Sequence, residues 1–227
     1  MKLAWLVAGT VVVSGCVIEH SGPVRHETRV IDRDNADQVR VDVRMSAGNL
    51  RISPGDDKLL RADFDYNVPS WKPEVRYDAG DLRISQADSA GHSHLGDTRS
   101  EWDLRLNPDV PLDIRVQFGA GEARMNVGHL SLRDVAVEMG VGKMDMDLRG
   151  EPEHSYTVSI HGGVGEATVR LPAGVGVDAH LEGGIGEIHA PGFHREGGRY
   201  INDEYAHSKY TIHLDVQGGI GAIHLIS

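Results

Sequence analysis

The amino-acid sequence predicts an all-β protein, a single-stranded parallel β-solenoid of about seven coils with Gly-x-Gly corners. Three observations predict this fold. A Gly-x-Gly motif recurs along the chain, apolar and polar residues alternate on both sides of it, and charges match between successive copies. Of the 227 residues, 40% are hydrophobic, which suffices for one domain or two small ones.

The repeat is defined by the second glycine of the motif. Regular copies lie 21–23 residues apart, and longer spacings elsewhere indicate insertions. Two weaker copies near the N-terminus keep only this second glycine. The predicted corner glycines are Gly48, Gly80, Gly121, Gly142, Gly165, Gly186 and Gly221.

The segments that flank each corner are predicted strands. Upstream of the motif every second residue is apolar, as at Leu112, Ile114 and Val116. Downstream the apolar positions shift by one residue, as at Val141 and Met144. Because glycine adopts positive φ readily, we expect the chain to turn there and to keep these apolar side chains inward on both strands.

The outward-facing columns support a parallel stack in register. Glu122, Lys143 and Glu166 alternate in sign in one column. Arg124 and Asp145 face each other in a second column, and Asp147 and Arg170 do so in a third. An antiparallel sandwich of hairpins gives the same alternation but leaves this charge matching unexplained.

The N-terminus predicts export and lipid attachment. Residues 1–15 have the charge and the short apolar run of a signal peptide, and that run is too short to cross a bilayer. Val13-Ser14-Gly15-Cys16 resembles the bacterial lipobox, in which the cysteine is lipidated, and Cys16 is the one cysteine of the chain. Because Val17 rather than Asp follows, the sequence resembles outer-membrane lipoproteins if the host has two membranes. In a host with one membrane, we expect the outer face of the plasma membrane.

The remaining chain divides into three predicted parts. Residues 16–36 mix charges, glycine and proline, which is typical of a lipidated tether. Residues 37–110 form N-terminal coils with a polar loop at 86–101, and residues 111–227 form the regular repeats with an aromatic insertion at 193–210.

The repeats and their flanks resemble a known family. The Gly-x-Gly-Glu copies, Leu59-Leu60-Arg61-Ala62-Asp63-Phe64, Trp71-Lys72-Pro73, the Pro111-Leu112-Asp113 entry and Gly198-Arg199-Tyr200-Ile201-Asn202-Asp203 are similar to the toast-rack family of bacterial envelope proteins. The resemblance covers roughly residues 39–227. Its C-terminal part is similar to LiaF-type regulators of the antibiotic response and to adhesin-like domains. It implies a β-solenoid and an envelope location, and it supplies no catalytic residues.

Catalytic and cofactor motifs are not found in the sequence. It contains no phosphate-binding loop, no nucleophile elbow and no His-Glu-x-x-His, and we therefore expect no cofactor and no enzyme activity. The net charge of −11 disfavours nucleic acid, and a single cysteine excludes a disulfide framework.

Two alternatives remain open for the chemistry of the surface. The carboxylates of Asp145 and Asp147 share one strand face, as a β-helical polysaccharide-acting enzyme would require. The thirteen histidines suggest a periplasmic metal-binding protein as a second alternative, with His92 and His94 in one loop and His189 and His224 in one column. A salt ladder and exposed surface histidines are the simpler interpretations.

The predicted function is that of a non-catalytic lipoprotein of the cell envelope: a surface scaffold, an envelope-stress sensor or an adhesin-like binding module. Its partners are the membrane, through the lipid, and an envelope protein or glycan. Aromatic side chains beside polar groups suit such contacts, although they also suit a cap on the solenoid end. The candidate binding residues are Trp71, Trp102, Tyr200, Tyr205 and Tyr210.

Overall fold

The computed structural model describes residues 17–86, 92–95 and 97–227. Its strands are β1 (Val17–His20), β2 (Arg25–Ile31), β3 (Val39–Pro54), β4 (Leu60–Tyr66), β5 (Pro73–Asp78), β6 (Asp81–Gln86), β7 (His92–Leu95), β8 (Ser100–Leu106), β9 (Leu112–Asn126), β10 (Leu132–Asp147), β11 (Tyr156–Arg170), β12 (Gly176–His189), β13 (Phe193–Glu196), β14 (Arg199–Asn202) and β15 (Thr211–Ile226). The described residues also contain two short 3-10 helices, Pro69–Trp71 and Asp203–Ala206.

Six long strands of 14 to 16 residues form the centre of the fold: β3, β9, β10, β11, β12 and β15. They pair in parallel, and their corner glycines are register partners. We call the part of each strand before the corner the first arm and the part after it the second arm. The predicted parallel β-solenoid fold is therefore confirmed.

The stacking of the corners requires glycine. Gly142 has a φ of 141°, and a Cβ built there would lie 1.9 Å from the carbonyl oxygen of Gly121 in the coil below. No side-chain carbon fits at that distance. The glycines at the six corners share this conformation, with φ between 128° and 153°: Gly48, Gly121, Gly142, Gly165, Gly186 and Gly221.

The seventh predicted corner, at Gly80, is wrong. Strands β5 and β6 form an antiparallel hairpin, and Ala79 and Gly80 are its two turn residues, with φ of 43° and 91°. Positive φ at both central residues is typical of a two-residue hairpin turn. The described residues therefore hold six coils rather than seven.

The coils do not stack in the order of the sequence. Their spatial order is β3, β9, β10, β11, β15, β12, so that the last coil lies between β11 and β12. The sequence interpretation, in which each coil packs against the next, is wrong at this step. Strand β15 gains a parallel hydrogen-bonded neighbour on both sides by insertion, whereas at the end of the stack it would have one.

The first end of the stack is covered on both arms. The first arm of β3 pairs with β6, and its second arm pairs with β8, which continues antiparallel through β4 to β2. Strand β2 falls in residues 16–36, so the predicted tether is wrong for Arg25–Ile31. These residues pair along the whole of β4, and the Tyr66 hydroxyl donates to Glu27 Oε1 at 2.7 Å. The signal peptide and Cys16 lie outside the described residues.

The hydrophobic core fills the space between the two arms. The inward side chains of successive coils lie in columns, and residues such as Val116, Val137 and Val158 are fully buried. Under the first end, Phe64 and Trp102 pack edge to face with ring centroids 5.3 Å apart. The core thus extends through the whole stack and holds the outward columns in fixed register.

Candidate functional site

The most unusual surface of the molecule is a row of aliphatic side chains along the corners. The middle residue of each Gly-x-Gly motif lies at the apex of its coil and points outward. Val141, Val164, Ile220 and Ile185 are 54%, 45%, 51% and 72% exposed. Ala47 and Ala120 occupy the same position in the first two coils; the six residues together are the corner ridge.

The corner ridge corrects the sequence interpretation, in which Val141 and its equivalents face inward. A strand that bends at the following glycine turns the preceding side chain out of the core, while Met144 on the second arm is buried as expected. Large apolar side chains in one exposed row are the kind of surface that binds a partner.

The outer face of the second arms carries a ladder of ion pairs. The expected register is present, since Glu122, Lys143 and Glu166 are neighbours in one column. Lys143 Nζ lies 3.7 Å from Glu166 Oε2, whereas Arg124 pairs with Glu122 of its own strand at 2.6 Å. Exposed pairs of this kind stabilise a fold by at most about 1 kcal/mol each.

The two carboxylates considered for polysaccharide chemistry are members of this ladder. Asp147 accepts hydrogen bonds from Arg149, which hold its pKa below the ordinary value, and Asp145 pairs with Arg170. A glycosidase needs one carboxyl whose pKa is raised, so that it can donate a proton. The pKa of Asp147 is lowered by Arg149 instead, so this carboxyl does not have the raised pKa of a proton donor.

A shallow groove lies beside the corner ridge, between the first arms and the hairpin β13–β14. Its floor includes Glu138, His161 and Glu182, and the hairpin β13–β14 forms one wall. The Arg195 guanidinium lies 5.6 Å from the centroid of the Tyr200 ring in that wall. The groove combines both charge signs with an aromatic ring.

The predicted aromatic binding residues do not form one site. Trp71 and Trp102 are 7% and 1% exposed, so the prediction that they bind a partner is wrong. Tyr200 lines the groove, whereas Tyr205 is exposed on the second 3-10 helix and Tyr210 lies near Lys209, with its Nζ 4.8 Å from the ring centroid. The insertion also covers part of β12, as a cap would.

The histidine pair of the sequence interpretation is adjacent in space. The rings of His189 and His224 have centroids 6.0 Å apart, and His224 Nε2 lies 3.7 Å from Glu166 Oε1. His92 and His94 lie in β7, which pairs with β1. Within residues 17–86, 92–95 and 97–227, no group of three or more histidine, cysteine, aspartate or glutamate side chains is arranged to hold a metal ion.

The same part of the chain contains no helix with the length and apolar character needed to cross a membrane.

Comparison with protein families gives one match over most of the chain. A family model described as the N-terminal domain of toast_rack matches residues 20–170. No curated protein sequence matches this chain.

Comparison with solved structures gives a strong likeness to a bacterial protein. A protein of Clostridium sporogenes described as a "putative cell adhesion protein" is 35% identical, with a TM-score of 0.86 over 89% of this chain and 99% of that chain. A "putative adhesin" of Bacteroides fragilis is 11% identical, with a TM-score of 0.39 over 92% of this chain and 100% of that one. Another, from Parabacteroides distasonis, is 10% identical, with a TM-score of 0.31 over 92% and 100%. These two structures superpose poorly on this one.

Proposed function

This chain belongs to the toast-rack family, and on that premise we propose that it is a lipid-anchored, adhesin-like binding module of the cell envelope that acts without catalysis. Its binding surface is the corner ridge, and its partner is a protein with a complementary apolar surface.

The corner ridge is the observation that carries this proposal. Val141, Val164, Ile220 and Ile185 stand about 4.8 Å apart from coil to coil, because they are register partners in one parallel sheet. Each leaves about half or more of its surface in water. Burial of the exposed part would contribute roughly 1 kcal/mol for each side chain. A linear apolar surface on a stiff stack suits recognition of another protein.

The comparison with the Clostridium sporogenes protein supports the same role. That protein is described as a "putative cell adhesion protein" and is 35% identical over nearly its whole length. The lipobox-like segment before Cys16 would place the module at the envelope, and diacyl attachment would hold it there without a transmembrane helix. The arginine-paired Asp145 and Asp147 support a structural role for the surface carboxylates.

Binding to the envelope tests the proposed surface. The chain with Cys16→Ala, which removes any lipid attachment, is mixed with isolated envelopes of the source organism. We expect Val141→Ser with Val164→Ser to weaken binding at least about tenfold, which corresponds to about 1.4 kcal/mol. The matched control replaces Lys143 and Glu166 by serine, since these exposed residues lie in the same two coils. Equal binding by the ridge variant and the parent would contradict the proposal, and so would an equal loss in the control.

The anchor has a separate test. In the full chain, Cys16→Ala should abolish incorporation of labelled acyl chains and release the protein from membranes. Retention in the membrane without label would contradict a lipid anchor. This result would leave the proposed role of the corner ridge unaffected, because the binding assay already omits the lipid.

A further inference from the structure

The second end of the stack, formed by β12, has an open edge. Strand β12 pairs along its length with β15, but on its other side β14 covers only Asp178 and Ala179. Within the described part of the chain, residues 180–189 therefore have one strand neighbour. Every second residue of this edge directs its N–H and C=O away from β15. The opposite end of the stack is covered on both arms, so β12 is the open end.

The core is covered only in part at this end, where Phe193 and Tyr200 of the hairpin β13–β14 pack against it. Ile188 of β12 is half-buried, whereas its register partner Ile223, one coil further in, is 5% exposed. Ile185 at the corner is 72% exposed, the highest value among the exposed large hydrophobic residues of the described part of the chain. Residues 180–189 contain neither proline nor lysine, which commonly protect an edge strand from pairing. A solenoid end that is covered only in part leaves room for a further cover.

We propose that a second copy of this chain covers the end, through antiparallel pairing of the two β12 edges about a twofold axis between Ile185 and Gly186. The axis runs along the bisector of the bent coil, so the first arm of one copy meets the second arm of the other. Glu182 then faces His189 of the second copy, and Gly183 faces Ile188 of the second copy. Each contact occurs twice by symmetry.

The register of this pairing follows from which residues face inward. Ile188 faces the core, and Gly183 occupies the inward position of the first arm, where a Cβ would lie 3.6 Å from Ile188 of its own coil. Antiparallel partners that lie directly opposite each other point to the same face of the sheet. Pairing Gly183 with Ile188 of the second copy therefore adds an apolar side chain to the partly covered core, beside the Ile188 of the same coil that already lies over Gly183. A shift by one residue would turn the apolar side chains outward.

The outward side chains fit the same register. Glu182 and His189 are both exposed on the outer face, and the pairing brings the acidic residue of one copy opposite the histidine of the other. Glu187 faces Gly184, so that no two carboxylates are directly opposite each other. The free edge has a limit at each end. Before residue 180, β14 pairs with Asp178 and Ala179. After β12 comes Pro191, which has no N–H to donate.

The dimer would lengthen the surface that the proposed function uses. The corner ridges of the two copies meet at Ile185, so one apolar row would run through both stacks. Each chain of the dimer would carry its own lipid anchor at Cys16, and the dimer would present two equivalent ridges to a partner. The pairing itself does not depend on that function, because it rests on the free edge of β12 and the partly covered core alone.

Measurement of the solution mass tests the pairing. The chain carrying Cys16→Ala is studied by sedimentation from micromolar to millimolar concentration, and we expect the mass of two chains at the upper end. Ile185→Asp should give the mass of one chain, because it places two carboxylates at the twofold axis. Val141→Asp is the matched control: Val141 has the same apex position and a 54% exposed side chain, but its coil is paired on both sides. This variant should still dimerise. Circular dichroism confirms that both variants are folded.

A disulfide test fixes the register and does not depend on loss of folding. In the Cys16→Ala background, Glu182→Cys with His189→Cys should yield a covalent dimer on mild oxidation, since opposed strand residues lie within the reach of a disulfide. Each single variant should remain monomeric under denaturing conditions, because the two copies of residue 182 lie far apart along the paired edge. A parent that stays monomeric at all concentrations would overturn the proposal. The same holds if Ile185→Asp dimerises, if Val141→Asp does not, or if the single cysteines cross-link as well as the pair.

Discussion

Replacement of a corner glycine by alanine probes the stacking of the coils directly. At Gly142 the new Cβ would lie 1.9 Å from the Gly121 carbonyl oxygen, whereas ordinary contact begins at 3.4 Å. The neighbouring coil must therefore move by about 1.5 Å, and the backbone retains a φ of 141°, which side chains rarely allow. Strain contributes about 1–3 kcal/mol, and weakening of two hydrogen bonds between coils contributes about 1 kcal/mol each.

The expected loss of stability for Gly142→Ala is therefore about 3–5 kcal/mol. For a protein of this size it corresponds to a fall of about 6–20 °C in Tm, measured by thermal unfolding followed by circular dichroism. Gly162→Ala is the matched control, because the nearest heavy atom to its new Cβ is 4.0 Å away and its φ is not positive. That variant should be neutral or stabilised by about 0.4–1 kcal/mol. A Tm for Gly142→Ala within about 2 °C of the parent, or an equal fall in both variants, would refute the reasoning.

The remaining predictions concern the core and the pH dependence of stability. Val137→Asp should prevent folding, as judged by circular dichroism, because an unpaired carboxylate would enter a fully buried column, whereas Asp145→Ala on the outer face should cost at most about 1 kcal/mol. Asp134→Asn should raise the Tm at pH 7, since burial, and secondarily Asp113, raise the pKa of Asp134 and make its ionisation unfavourable in the folded state. The gain should disappear as the pH falls below the ordinary aspartate value of 3.8, where the folded and unfolded states are both protonated. A gain that persists unchanged at low pH would show that ionisation is not its cause.

The coil itself was predictable from the sequence because its cause is local. Alternation such as Ile114, Val116 and Phe118 fixes a strand with one buried face, and the recurring glycine fixes the bend. The matched charges indicate the register between neighbours. These signals recur in every copy, so six of the seven corners are where the sequence places them.

The order of the coils was not predictable, because each coil carries the same pattern. Nothing in the alternation around Gly221 distinguishes a neighbour before it from one after it. The long segment between Gly186 and Gly221 gives the chain enough length to return between β11 and β12, and pairing on both sides then favours that position. Gly80 was misassigned for a related reason, since a hairpin turn and a coil corner both use glycine at positive φ.

The candidate site was predicted only in part. Trp102 was assigned to binding although it continues the alternation with Leu104 and Leu106, a signal that indicates a core strand. The corner ridge was missed, although Val141 and Val164 recur between the two glycines of their motifs. The alternation of the upstream strand places them inward, and only the sharp bend at the following glycine, seen in the structure, turns them outward.

Cross-linking between β11 and its neighbours tests the stacked architecture most directly. Thr168 and His224 are register partners in adjacent coils, whereas Thr168 and His189 are separated by β15. In the Cys16→Ala background, we predict that Thr168→Cys with His224→Cys forms an intramolecular disulfide and that Thr168→Cys with His189→Cys does not, since two coil spacings of about 4.8 Å exceed the reach of a disulfide. Efficient cross-linking of the second pair without the first would contradict the inserted position of the last coil. Failure of both pairs would contradict the parallel stack itself.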